Sequence, residues 1–154
     1  MNNFDWFKNA KYGLFIHFGL YSMLGGKYKD KRSGNYAEWI QSNLRISNKE
    51  MNNIAKEFNP KKFNAQEWVA FAKDCGFKYI VFTTKHHDGF AMYDTEFNLW
   101  NSTRMGPCRD VVGEITAECE KQGLTLCAST HRAEHYFFMN PGRLFDSDVN
   151  DDQY

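Results

Sequence analysis

The chain has 154 residues, of which 42% are hydrophobic and 17% aromatic, enough apolar mass for one folded domain and too much for intrinsic disorder. Its 19 basic residues balance 19 acidic ones, so net charge gives no reason to expect nucleic acid or an anionic membrane as partner. No apolar run approaches the ~20 residues of a membrane span, and the opening MNNFDWFKNAKYG lacks the basic-then-apolar pattern of a signal peptide, so a cytoplasmic location is the expectation.

The first element is the run Gly13-Leu14-Phe15-Ile16-His17-Phe18-Gly19, apolar and bounded by glycines, which predicts a buried strand. A Gly/Lys-rich loop follows over about 25–35, then two helical segments, 36–44 and 47–58. Ser47 and Glu50 have the spacing of a capping box, and Ile46 can staple onto Met51. Met51, Ile54, Ala55 and Phe58 then share one face, with Pro60 just past the end. The next helix starts at Asn64 with Glu67 three residues on and Phe63 placed against Trp68; Gly76 stops it. Trp68, Phe71, Ala72 and Cys75 are its expected buried stripe.

Tyr79-Ile80-Val81-Phe82-Thr83-Thr84 predicts a second buried strand. A further helix fits 110–122, burying Val112, Ile115 and Cys119 and stopped by Gly123, and 124–130 supplies a third strand. The cysteines, Cys75, Cys108, Cys119 and Cys127, form no C-x-x-C pair and are expected to be reduced; Cys75, Cys119 and Cys127 are expected as small buried hydrophobes. Strand, helix, strand, helix, strand is the grammar of an α/β fold with a parallel sheet, whose functional residues gather at the strand C-terminal ends. A closed eight-fold barrel needs ~250 residues. The chain is therefore either a small open sheet or the first part of a barrel.

All five histidines, His17, His86, His87, His131 and His135, fall at or just after the end of a predicted strand. That clustering points to a pocket. His17, taken alone, fits a satisfied core histidine at least as well as a ligand contact. Lys85-His86-His87-Asp88-Gly89-Phe90 ends an apolar strand with polar groups that have no core rationale. Alternation along a strand would send adjacent histidines to opposite faces, which suits them poorly to one metal. Neutral hydrogen-bonding groups beside aromatic rings suit a sugar, and Glu38-Trp39 pairs an acceptor with a stacking surface, although a plain helical role fits it too. His131-Arg132-Ala133-Glu134-His135 has the H-x-x-E-H spacing of an inverted zinc-peptidase motif. It begins directly on leaving a strand, and no third ligand is identifiable in the acidic tail.

These residues resemble the N-terminal part of an α-L-fucosidase of glycoside hydrolase family 29. Residues 10–19 resemble that family's first barrel strand, and Glu38-Trp39 its Glu-Trp element; a tryptophan is common there at the Phe18 position. Residues 65–76, Lys78-Tyr79 and Thr83-Thr84-Lys85-His86-His87-Asp88-Gly89-Phe90 form the most recognisable stretch, and Trp100-Asn101 and Arg109-Asp110 continue it.

The resemblance implies the first three or so parallel strands of a (β/α)8-like TIM-type barrel with flanking helices, residues 1–154 being the N-terminal portion of one catalytic domain. It further implies retaining hydrolysis of an α-L-fucosylated oligosaccharide, with no cofactor, metal, nucleic acid or membrane. By position, His17, Glu38, Trp39, His86 and His87 would contact the fucose, with His131, Glu134 and His135 near the pocket. The nucleophilic aspartate and the acid/base group are expected beyond Tyr154, so the chain alone is expected to be inactive. Two alternatives stand beside this: a non-catalytic fucose-binding remnant, and a zinc hydrolase using His131, Glu134 and His135.

Overall fold

The computed structural model describes residues 4–131. Glu134, His135 and the acidic run 146–152 lie outside the described residues.

A short helix, α1 (Asp5–Ala10), leads into β1 (Gly13–Ile16). After it come α2 (Leu20–Leu24), the hairpin strands β2 (Lys27–Tyr28) and β3 (Lys31–Arg32), a 3₁₀ turn at Ala37–Trp39, and α3 (Ile40–Leu44). Then follow α4 (Asn48–Glu57), α5 (Ala65–Asp74), β4 (Tyr79–Lys85), α6 (Val111–Gln122) and β5 (Thr125–Thr130). β1, β4 and β5 form one sheet in the order β1-β4-β5, parallel throughout. The three expected strands are thus present and neighbours. α1, α2 and the β2–β3 hairpin lie in stretches where the sequence pattern predicted nothing regular, being five residues or so long and stabilised by their surroundings.

Helix starts follow their caps. The Ser47 hydroxyl accepts from the Glu50 amide while Glu50 accepts from the Ser47 amide. Asn64 accepts from the Glu67 amide, and Asp110 from the Gly113 amide. Ile46 and Met51 are both fully buried, as a staple requires, and the Phe63 and Trp68 rings meet edge-on at 4.9 Å.

The sheet's two faces differ. Leu14, Ile16, Ile80, Phe82 and Leu126 occupy matching register positions and pack into the helix-side core with Val69, Ala72, Val111, Ile115 and Cys119. Phe15, Val81 and Cys127 also share a register row, on the opposite face. Among the described residues nothing covers that face fully: Phe15 is 52% exposed and Cys127 half-buried.

Two expectations about the helices need correction. The buried stripe of α5 is Ala65, Val69 and Ala72; Phe71 is 64% exposed and Cys75 is exposed. Phe71 instead lines a groove with Leu14, Ile16, Glu67 and Trp68, along the free edge of the sheet at β1. Cys75 is the C-cap residue, at the end of the helix. In α6 the fully buried valine is Val111, while Val112 is only partly covered. Among the described residues no helix is long and apolar enough to cross a membrane.

Candidate functional site

Each parallel strand runs directly into a histidine. His17 follows Ile16, His86 follows Lys85, and His131 follows Thr130. Parallel strands in register end at one edge, so sequence-distant imidazoles are delivered to one place. The His131 amide donates to the Lys85 carbonyl at 3.0 Å, which ties the end of β5 to the end of β4.

The ring centroids of His86, His87 and His131 form a near-equilateral triangle: 4.3 Å from His86 to His87, 4.4 Å from His86 to His131 and 4.5 Å from His87 to His131. His17 stands edge-on to His86 at 5.5 Å and is exposed. It is therefore not the satisfied core histidine that the sequence equally allowed. Trp39 meets His87 edge-on at 5.8 Å, and Tyr21 lies 5.1 Å from His86. Glu38, next to Trp39, is half-buried and near enough to add to the rise in the Tyr21 pKa, behind burial and Asp88. Five of the sequence-predicted site residues, His17, Trp39, His86, His87 and His131, are thus in one connected ring cluster. Glu38 borders it, and Glu134 and His135 are not among the described residues.

Adjacent histidines can share this cluster because β4 ends at Lys85, with its register already irregular between Thr83 and Lys85. His86 and His87 belong to a turn, so strand alternation does not separate them, contrary to expectation. The turn is closed by the Gly89 amide donating to the His86 carbonyl at 2.9 Å, with Gly89 at φ +78. Asp88 Oδ1 accepts from the Phe90 amide at 2.9 Å, and the buried Phe90 ring anchors the loop edge-on against Phe58 and Trp100. Beyond it, the fully buried Asn101 accepts from the Thr103 and Arg104 amides and donates to the Thr95 and Asn98 carbonyls.

The electrostatics favour neutral groups. Burial pushes the His86 pKa down to about 2, helped by its histidine neighbours, against a weaker opposing effect of the Glu38 backbone. An uncharged imidazole offers one N–H and one lone pair, the donor–acceptor pair that a sugar hydroxyl matches. Burial pushes the Asp88 carboxyl up to about 7, and its Oδ2 has no hydrogen-bond partner among the described residues. Tyr21 and Asp88 are buried polar groups beside the cluster to which the sequence assigns no role. Their signal was only proximity to the histidine-bearing segments, which does not separate a supporting group from a loop residue.

Comparison with known proteins places the chain in a family. The family model described as alpha-L-fucosidase matches residues 1–153. The chain belongs to the alpha-L-fucosidase family. Among its relatives, an alpha-L-fucosidase of Dictyostelium discoideum is 34% identical over 94% of this chain but only 33% of its own length. Human plasma alpha-L-fucosidase is 36% identical over 71% of this chain and 25% of its own. Of solved structures, the unliganded alpha-L-fucosidase AlfC of Lactobacillus casei superposes with TM-score 0.81 at 49% identity, covering 84% of this chain and 40% of that one. The chain therefore spans between about a quarter and two-fifths of the length of these relatives.

Proposed function

We propose that this chain is the first part of the (β/α)8 catalytic barrel of a retaining α-L-fucosidase, carrying the sugar-orienting side of the active site. The observation behind this reading is the convergence of His17, His86, His87, His131 and Trp39 at the C-terminal edge of a parallel sheet. The apolar, uncovered face bearing Phe15, Val81 and Cys127 supports the barrel, because in a closed barrel that face turns inward and is filled by layers of side chains. AlfC structures with fucose product, with 4-nitrophenyl fucoside and with Fucα(1,6)GlcNAc support a fucosylated glycan as substrate.

In this reading His17, His86 and His87 hydrogen-bond the fucose hydroxyls, Glu38 accepts from another, and Trp39 lies against an apolar side of the ring. His131, Glu134 and His135 border the pocket. Retention requires two carboxyl groups ~5–5.5 Å apart, one attacking the anomeric carbon while the other protonates the leaving oxygen. Water, deprotonated by that second group, then displaces the nucleophile from the fucosyl-enzyme. The chain's own part is orientation, through hydrogen bonds that strengthen as the sugar flattens towards an oxocarbenium ion. The described carboxyl groups beside the cluster are Glu38 and the buried Asp88, whose Oδ1 is engaged by the Phe90 amide. The nucleophile and the acid/base group are assigned to sequence beyond residue 154.

The test is release of nitrophenol from 4-nitrophenyl α-L-fucoside by the 154-residue chain and by the chain fused to the part of AlfC that it does not cover. Turnover by the fusion alone is expected. Turnover by the short chain would place the carboxylates within it. A folded fusion that binds fucose without turnover would favour the fucose-binding remnant. One that neither binds nor hydrolyses would end the fucosidase reading.

A further inference from the structure

We propose that His86, His87 and His131 form a three-imidazole binding site for a zinc-class divalent cation. The candidate donor atoms of the three rings all lie within 4.8 Å of one another. A tetrahedral zinc site with bonds of 2.0–2.1 Å sets its nitrogens about 3.4 Å apart, so the rings must close by at most about 1.4 Å. Ring rotations supply that without moving the backbone, and the backbone is already tied by the amide of His131 on the Lys85 carbonyl.

A second observation points to a ligand at the same place. His86 is only 3% exposed, and its Nδ1 is buried with no hydrogen-bond partner among the described residues. A buried lone pair normally has a partner, and in a trihistidine cluster a cation is a partner that all three rings can share. Imidazole is the ligand that suits Zn²⁺, Cu²⁺ and Ni²⁺, whereas Mg²⁺ and Ca²⁺ want oxygen. Three protein ligands leave the fourth tetrahedral position open to water or to a hydroxyl. The site differs from the H-x-x-E-H pattern in the sequence: it takes His131 together with the adjacent pair in the turn after β4. His17 stands outside the triangle, edge-on to His86 and against the Phe15 ring.

The site itself is independent of the fucosidase reading. One consequence rests on that reading: a cation held by His86, His87 and His131 occupies the groups assigned to the sugar, so metal and fucose exclude one another.

The test uses the full 154-residue chain, kept dilute and first stripped with a chelator. Titration with Co²⁺ is expected to give the intense visible absorption of a low-coordinate, nitrogen-ligated ion at one equivalent, displaced by Zn²⁺. A spectrum that stays weak and six-coordinate overturns the site without requiring any variant. His86→Ala and His131→Ala are expected to weaken Zn²⁺ binding by at least about tenfold, with His17→Ala near wild type and far-ultraviolet circular dichroism confirming the folds. Unchanged binding in folded His86→Ala and His131→Ala would assign the metal to the surface and overturn the proposal. In the fusion, loss of metal binding on adding fucose supports the shared site. Simultaneous binding of both leaves the metal site standing and removes the sugar assignment.

Discussion

His86 and His87 present their rings to the same small space, and burial keeps His86 uncharged. If these rings orient the sugar, removing one loses transition-state hydrogen bonding. His86→Ala or His87→Ala in the fusion should lower kcat/KM about a hundredfold, a cost of about 2–3 kcal/mol. The effect should fall mainly on kcat, as measured by steady-state hydrolysis of 4-nitrophenyl α-L-fucoside. Asp88 makes a different demand. Its Oδ1 holds the Phe90 amide while burial disfavours its charge, so an amide can replace the carboxyl. Asp88→Asn should preserve the thermal midpoint of the fusion, whereas Asp88→Ala, which strands the amide, should cost about 1–3 kcal/mol. Equal losses for both would show that charge matters at this position. Gly89 sits at φ +78, and an added Cβ would meet only Trp100 at an ordinary 3.8 Å. Gly89→Ala should therefore cost the backbone term alone, about 1–2 kcal/mol in denaturant unfolding.

At the scale of elements, the start of α4 shows how one side chain links local and long-range order. Glu50 completes the capping box with Ser47, accepts from the Tyr28 hydroxyl at 3.0 Å, and pairs with Lys29 at 2.5 Å. The helix end is thereby joined to the β2–β3 hairpin. Lys29 first, then Ser47 and Tyr28, hold the Glu50 carboxyl down at about 2, against its ordinary 4.5. A depressed folded-state pKa means that the unfolded chain takes up the proton first. The stabilisation is complete above about 4.5 and disappears as pH falls towards 2. Glu50→Gln should thus lower the melting midpoint of the fusion at neutral pH, with the gap to wild type shrinking through that window. A gap independent of pH would mean that Glu50 acts through packing instead. The sequence predicts only a loop over this hairpin, because two-residue strands carry no periodicity. The caps of α4, α5 and α6 were legible, because each depends on one polar side chain a fixed distance before an apolar stripe.

For the whole molecule, the feature with most consequence is a three-stranded sheet whose Phe15 face is incompletely covered among the described residues. Among the described residues β1 and β5 are both edges, and Phe15 stands half-exposed on the face opposite the α5–α6 core. Unpaired edges and an uncovered apolar face invite pairing with another chain. The 154-residue chain should therefore self-associate as concentration rises, visible as mass growing in light scattering. The fusion, which pairs those edges, should remain of constant mass. A cooperative, concentration-independent monomer of the short chain would contradict the open-barrel reading.

The sequence by itself determined the three parallel strands, the caps and stops of the main helices, and the placement of histidines just past strand ends. These are local properties, set by apolar periodicity and by single capping residues. Only the tertiary structure decided what those residues meet. Phe71 lies on the apolar side of a helical wheel, yet it faces a groove beside the free edge at β1, because burial depends on which neighbour is present. His86 and His87 are adjacent and were expected on opposite faces; they share one cluster because β4 ends before them. Where a strand stops and which strand lies beside it are decided by packing between distant segments, and that packing turns scattered histidines into a single site.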